Sequence, residues 1–222
     1  MKNIKAIAFD IDGTLYPDWH LYIRIIPFFL KNIRFFLSYN KCRKVLHRTA
    51  PLPDFFEYQA RLLADEMNIT VSDAHQLIQD KIYDGLKPYF KKIKPYPHIR
   101  EVFDSLKKAG FKLAILSDFP PEQKGDIWGV APKCDVILGS ESCGALKPSI
   151  YPFGIMAQKL GVHCHEILYV GNSIRSDIKG AGNAGMKTAY IMPLCRRILR
   201  RPLPDADISF ENYRKLLKIV LN

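Results

Sequence analysis

The chain has 222 residues, of which 48% are hydrophobic and 25% charged, and its formal net charge is +11. That length holds one substantial α/β core with a smaller appended unit and excludes two full-sized independent domains, while the composition excludes a disordered or fibrous chain. The positive excess favours anionic partners, whether phosphorylated metabolites, nucleic acid or acidic lipid, without choosing among them.

Residues 1–10 carry Lys2 and Lys5 and too short an apolar run for a secretory signal, so the chain is expected to stay in the cytoplasm. Residues 4–9 read as a buried strand, and Asp10 and Asp12 follow it. From about 19 to 94 no strand is legible; helical patterns occupy residues 21–39, 54–67 and 71–82. Tyr16-Pro17 and Lys94-Pro95-Tyr96-Pro97 bound the segment with stiff connections. It reads as a helical cap of residues 18–94 inserted into a core made of residues 1–17 and 95–222.

Between Trp19 and Pro53 there are seven Lys/Arg and no Asp/Glu. On a helical wheel for residues 21–41, Tyr22, Ile26, Phe29, Ile33, Phe36 and Leu37 share one side, Arg24, Lys31, Arg34 and Lys41 lie towards the other, and Phe28 and Phe35 fall nearer the polar side. The apolar side is expected to pack on neighbouring helices. Contact of this basic, aromatic helix with a membrane surface is the alternative, and it is not favoured. The hydrophobic region is interrupted by charges at short intervals, which argues against a membrane span.

Past the cap, helical patterns at 99–109, 121–128, 150–160 and 175–184 alternate with strand-like runs at 112–116, 136–138, 167–170 and 188–191, and a helix near 211–221 closes the chain. Gly110, Gly161 and Gly185 stand just past three of those helices as stop signals. Strands alternating with helices predict an α/β fold, a doubly wound parallel Rossmann-like sheet, with an inserted α-helical cap and a ligand site beyond the carboxyl ends of the strands. Five scattered cysteines without a Cys-x-x-Cys pair indicate neither a disulfide framework nor a zinc ribbon, and His163-Cys164-His165 reads as a polar loop.

The chemistry-bearing residues fall at the predicted strand ends. Asp10 and Asp12 would project on the same side of an extended chain, an arrangement that a bound metal or a retained proton relieves. Such a pair suits phosphoryl transfer, although two solvated aspartates in a turn is the bland alternative. Ser117 ends a strand with a hydroxyl, Lys147-Pro148-Ser149 presents a cation just before a helix that Ser149 could cap, and Gly171 to Asp177 forms a polar loop opening a helix. Each of these, alone, also reads as ordinary turn or helix-start chemistry.

Together, residues 8–16, 115–118, 146–148 and 169–186 resemble, in order, the four motifs of the haloacid dehalogenase superfamily. Pro95-Tyr96-Pro97-His98-Ile99 followed by Leu106-Lys107-Lys108-Ala109-Gly110 is similar to the usual return from its cap. The resemblance covers residues 4–20 and about 95–210. It implies a phosphatase in which Asp10 attacks a phosphate ester, Asp12 protonates the departing alcohol and then activates water, and Ser117 and Lys147 hold the phosphoryl group. It implies Mg²⁺ at Asp10, the Asp12 backbone carbonyl and Asn172; because Asn172 is neutral, Asp118 or Asp177 is expected to restore part of the negative field of that metal site. Asp12 separates the chain from the dehalogenase branch, which lacks the second carboxylate. Two departures stand out: Asn172 occupies a position where Asp is usual, and Asp118 one where Asn is usual.

The expected partner is a small phosphorylated metabolite; nucleic acid is not favoured, and nothing bears on oligomeric state. A phosphomutase on the same scaffold, and a binding protein weakened in turnover by Asn172, are the competing readings. The cap carries no motif that selects among sugar phosphates, phosphoglycolate and nucleoside monophosphates.

Overall fold

The computed structural model describes residues 3–222; Met1 and Lys2, assigned to the core by sequence, lie outside the described residues. Six parallel strands, β1 (Ala6–Phe9), β2 (Lys112–Ser117), β3 (Val136–Gly139), β4 (Ile167–Gly171), β5 (Lys187–Ile191) and β6 (Ile208–Phe210), form one sheet in the order β3-β2-β1-β4-β5-β6. The order reverses between β1 and β4, the crevice where a doubly wound sheet binds its ligand.

Alternation along each strand explains why both faces are covered. Ile7 and Phe9 of β1, Leu113 and Ile115 of β2, and Leu168 and Val170 of β4 belong to one apolar cluster. Their neighbours Ala6, Ala8, Ala114, Leu116, Ile167 and Tyr169 belong to another.

The helices, in chain order, are α1 (Trp19–Lys31), α2 (Ile33–Leu46), α3 (Phe55–Met67), α4 (Val71–Ile78), α5 (Lys87–Phe90), α6 (Ile99–Lys108), α7 (Ile150–Leu160), α8 (Gly180–Asn183), α9 (Leu194–Ile198) and α10 (Tyr213–Leu221). On the first face of the sheet, α6 and α10 contribute Phe103, Leu106, Tyr213 and Leu216. On the second, α7 and α8 contribute Phe153, Met156, Leu160 and Ala181. Ser149 caps α7 by accepting from the Tyr151 amide at 3.3 Å, and Gly161 ends it at φ +64°.

Among the described residues, 19–93 hold helices joined by turns and no strand, and the two connections that bound them are tied together, because the Tyr96 amide donates to the Leu15 carbonyl at 2.8 Å. Four elements differ from the sequence reading, one being the helix expected over 71–82, which gives way to a π turn at Gln79–Tyr83. The helix expected over 21–39 is broken: Asn32 leaves helical geometry (φ −119°, ψ 28°) and its side-chain amide donates to the Phe28 carbonyl at 2.8 Å, so α1 and α2 are separate. Its buried side is also different. Phe35 and Phe36 are buried and Phe28 half-buried, whereas Tyr22, Ile26, Ile33 and Leu37 are exposed. Across the break the Phe36 ring stacks on Phe29 and meets Phe28 edge-on, which turns that side inward.

The helix expected over 121–128 is two 3₁₀ turns, Pro121–Lys124 and Ile127–Gly129, interrupted at Gly125 (φ +61°). The helix expected over 175–184 begins instead as a π turn, Ile174–Lys179, before α8. β6 and the short α5 and α9 were too brief to be legible as periodic patterns.

Candidate active site

At the carboxyl end of β1, pairing runs one residue past the strand, with the Asp10 amide donating to the Val170 carbonyl at 3.0 Å. The chain then turns, the Thr14 and Leu15 amides donating back to the Ile11 carbonyl at 3.1 and 2.9 Å. This turn, rather than continued strand, brings Asp12 over the site. Gly13 makes it possible: it sits at φ +81°, and a Cβ there would lie 2.1 Å from Nδ2 of Asn172.

Asp10 is buried and held from two sides. Its Oδ1 accepts from Lys147 Nζ at 2.8 Å and its Oδ2 from Thr14 Oγ1 at 2.8 Å. Burial pushes its carboxyl well above the ordinary range; Lys147 opposes this, while Asp177 and Asp12 add to it. Lys147 Nζ reaches in addition Asp177 Oδ1 at 2.7 Å and the Tyr169 hydroxyl oxygen at 3.2 Å. Burial would lower the lysine, but Asp10 and Asp177 outweigh it and hold it well above its usual value. Within the crevice this is one fixed cation between two carboxylates.

Asp177 is committed on both oxygens, since Oδ2 accepts from the backbone amides of Asn172 and Ser173 at 3.1 and 2.9 Å. It thus fixes the loop that carries Asn172. The π turn that follows β4 lets Asp177 approach so closely that a Cβ at Gly171 would lie 2.3 Å from its Cβ. Asp118 accepts from the Ser140 hydroxyl at 2.6 Å and the Lys147 amide at 3.1 Å, bracing the Lys147 loop. Burial pushes Asp118 up, but Lys147 and Arg43 outweigh that and leave it below the usual carboxylate value.

Asp12 is half-buried, with Oδ1 accepting from the Tyr16 hydroxyl at 2.6 Å and Oδ2 from Lys124 Nζ at 3.1 Å and Ser117 Oγ at 3.4 Å. The predicted residues Asp10, Asp12, Ser117, Lys147, Asn172 and Asp177 therefore converge on one crevice. Thr14, Tyr16, Tyr169 and Lys124 were not singled out by sequence. Thr14 and Tyr16 lie inside the first motif-like stretch, so proximity could have flagged them. Lys124 lay in a presumed amphipathic helix and carried no such signal.

Thr14 Oγ1 is 2.8 Å from Asp10 Oδ2 and 3.2 Å from Asn172 Oδ1, so a carboxylate oxygen and an amide oxygen flank one hydroxyl. Hard oxygen donors of this kind fit Mg²⁺, with one fewer negative charge than a pair of carboxylates would offer. Among the described residues no group of three or more His, Cys, Asp or Glu is arranged to hold a metal ion, so a cation here would depend on Asn172 and backbone oxygen.

Beside Asp12 opens a cavity of about 290 Å³ walled by Tyr16, Tyr22, Leu86, Phe90, Phe119 and Gln123. Helical-segment and sheet-loop residues share this wall. Gln123 ties the two together, its Nε2 donating to the Ile82 carbonyl at 2.9 Å. A second tie is the buried ion pair of Arg43 with Glu141, whose Oε2 also accepts from the Tyr83 hydroxyl at 2.9 Å.

The family model described as haloacid dehalogenase-like hydrolase matches residues 4–185. A phosphoglycolate phosphatase of Mannheimia succiniciproducens is 31% identical over 135 residues, a match spanning 56% of this chain and only 57% of that protein. One of Aquifex aeolicus is 32% identical over 205 residues, 85% of each chain. The crystal structure of an HAD phosphatase from Thermococcus onnurineus superposes with a TM-score of 0.65 at 22% identity, covering 98% of both chains, which speaks to the fold alone. Dehalogenases also stand among the similar sequences and structures.

Proposed function

The chain belongs to the haloacid dehalogenase-like hydrolases, and within them we propose that it is a Mg²⁺-dependent phosphatase of small phosphate monoesters that works through a phosphorylated Asp10. The observation that carries this reading is the second carboxylate, Asp12, held over the crevice by Tyr16 and Lys124. A displacement at carbon by Asp10 would need no such group. Expulsion of an alcohol from phosphorus needs a proton donor beside the leaving oxygen.

In the proposed sequence an Asp10 carboxylate oxygen forms the bond to phosphorus as the bond to the alcohol oxygen breaks, and that oxygen takes its proton from Asp12. Asp12, now a carboxylate, then removes a proton from water, which attacks the phosphorus, releases inorganic phosphate and returns Asp10. Lys147, which reaches Asp10, and the Ser117 hydroxyl, which reaches Asp12, would hold the equatorial oxygens, and Asp177 keeps Lys147 and the Asn172 loop in place. A bound Mg²⁺, held by Asp10, the Asp12 carbonyl and Asn172, would supply charge neutralisation for the transferred group. The helical segment 18–94 serves as the cap, because its Tyr22, Leu86 and Phe90 wall the cavity next to Asp12 where the alcohol must leave. Among the described residues no Lys or Arg lines that cavity, which favours an uncharged alcohol over an acidic one.

Release of inorganic phosphate from an aryl phosphate, with and without Mg²⁺, tests the reading. Turnover that requires Mg²⁺ and is abolished in Asp10→Asn and Asp12→Ala supports it. Chloride release from a haloacid, phosphate passed to an acceptor sugar without free phosphate, or full activity of Asp10→Asn would each sink it. Within a positive result, neutral alcohol phosphates are expected to be hydrolysed faster than phosphoglycolate.

A further inference from the structure

We propose that the outer side of α1 and the start of α2 docks on the surface of an anionic lipid bilayer. Within α1, Trp19, Ile23, Ile26 and Leu30 recur at spacings of four, three and four, which puts them in one stripe bordered by Tyr22, and past the break Ile33 and Leu37 of α2 are exposed as well. All seven are between 45% and 60% exposed, and no residue of α1 is buried. The opposite side is already satisfied, with Phe29 stacked on Phe36, Phe28 edge-on to Phe36, and Phe28 tilted against Tyr89. A stripe of this many large apolar side chains in water marks a contact surface, not ordinary surface scatter.

Charge selects the occupant. Arg24, Lys31, Arg34 and Lys44 are exposed beside the stripe and make no ion pair among the described residues. No Asp or Glu occurs from Trp19 to Pro53. A second copy docking through this same face would bring only like charge against those cations, whereas acidic headgroups complement each of them. Trp19 and Tyr22 at one end suit the headgroup region, with the aliphatic residues reaching the acyl boundary. Among the described residues no helix is long and apolar enough to cross a membrane, so the contact is one of lying on the surface. Trp19 also lines the cavity at Gly13 and Asn172, and Tyr22 the one at Asp12, so docking would set the mouth of the crevice at the lipid surface.

The test is flotation of the full chain with vesicles of phosphatidylcholine alone and of phosphatidylcholine with phosphatidylglycerol. Binding to the acidic vesicles, weakened by salt, is expected. Ile23→Asp with Leu30→Asp should weaken binding by at least about tenfold, as expected for removing two apolar anchors, and Lys31→Glu with Arg34→Glu should remove the preference for acidic lipid. Both double variants change only exposed positions, so their thermal unfolding should match the parent chain, and this control does not depend on the catalytic reading. Failure to float with either vesicle overturns the proposal. So does a dimer in sedimentation that Ile23→Asp with Leu30→Asp dissociates, because a second copy would then be the occupant.

Discussion

Lys124 donates to Asp12 at 3.1 Å from a 3₁₀ turn that lies 112 residues further along the chain. Its side chain is fully buried, with Nζ 4.8 Å from the centre of the Phe90 ring. The turn after β2 thus fixes the orientation of the carboxyl proposed as the proton donor. In Lys124→Met, kcat is expected to fall by about 10- to 100-fold with KM nearly unchanged, because the lost contact acts on proton transfer and not on substrate binding. Steady-state kinetics on an aryl phosphate measures the split; a rise in KM alone would place Lys124 in binding instead.

Asn172 contributes a neutral oxygen beside Asp10 where the resemblance leads one to expect a carboxylate. Asn172→Asp should therefore lower the Mg²⁺ concentration for half-maximal turnover by about tenfold, since cation affinity follows the charge of its ligands. Calorimetric titration of Mg²⁺ into the two proteins reads the same difference without turnover.

Gly13 is bounded by both conformation and space. Gly13→Ala puts a Cβ at φ +81° against the Asn172 side chain, and should cost about 1–3 kcal/mol of stability together with most of the activity. Chemical denaturation gives the first quantity, and an unchanged midpoint would show that the turn can relax.

Arg43 of α2 and Glu141 after β3 form a buried ion pair between the helical segment and the sheet loops. Arg43→Met leaves Glu141 buried with only the Tyr83 hydroxyl, and should destabilise by about 3–5 kcal/mol. Arg43→Met with Glu141→Leu should recover a large part of that loss. A double-mutant cycle by urea unfolding separates the two costs.

His47 rests on the Lys147 loop, with Nδ1 2.7 Å from the Lys147 carbonyl oxygen. Burial holds its pKa below the usual value, helped by Arg43 and Arg175, while Asp118 and the Lys147 carbonyl pull it up. The unfolded chain takes up its proton first as pH falls, so the stabilising contribution is complete above about pH 6.5 and is lost below it. Melting temperature should decline more steeply on acidification in the parent protein than in His47→Gln. Parallel declines would leave His47 without a part in acid sensitivity.

Local pattern was enough for most of the core. Residues such as Ile7, Ile115 and Val170 form unbroken apolar runs because both faces of a parallel sheet are covered, and glycine after a helix reports a left-handed turn whatever lies around it. Asp10, Asp12, Ser117, Lys147, Asn172 and Asp177 were readable for the same reason, since each stands where a strand ends or a helix begins. The inward side of the segment after Tyr16 was not readable. A helical wheel ranks side chains by polarity along one helix, but here the helix breaks at Asn32 and the contacts of Phe28 and Phe29 with Phe36 form between the two separate helices.

The amino-acid order by itself determined the sheet-and-helix alternation, the stopping points of α6 and α7 and the set of residues gathered at the strand ends, because backbone preference and apolar periodicity act over a few residues. Only the tertiary structure decided that Lys124 meets Asp12, that Asp177 is spent on Lys147 and the Asn172 loop, and that α1 turns a large apolar stripe to water. Those outcomes depend on distances between residues remote in the chain, which the folded packing creates and no local preference encodes.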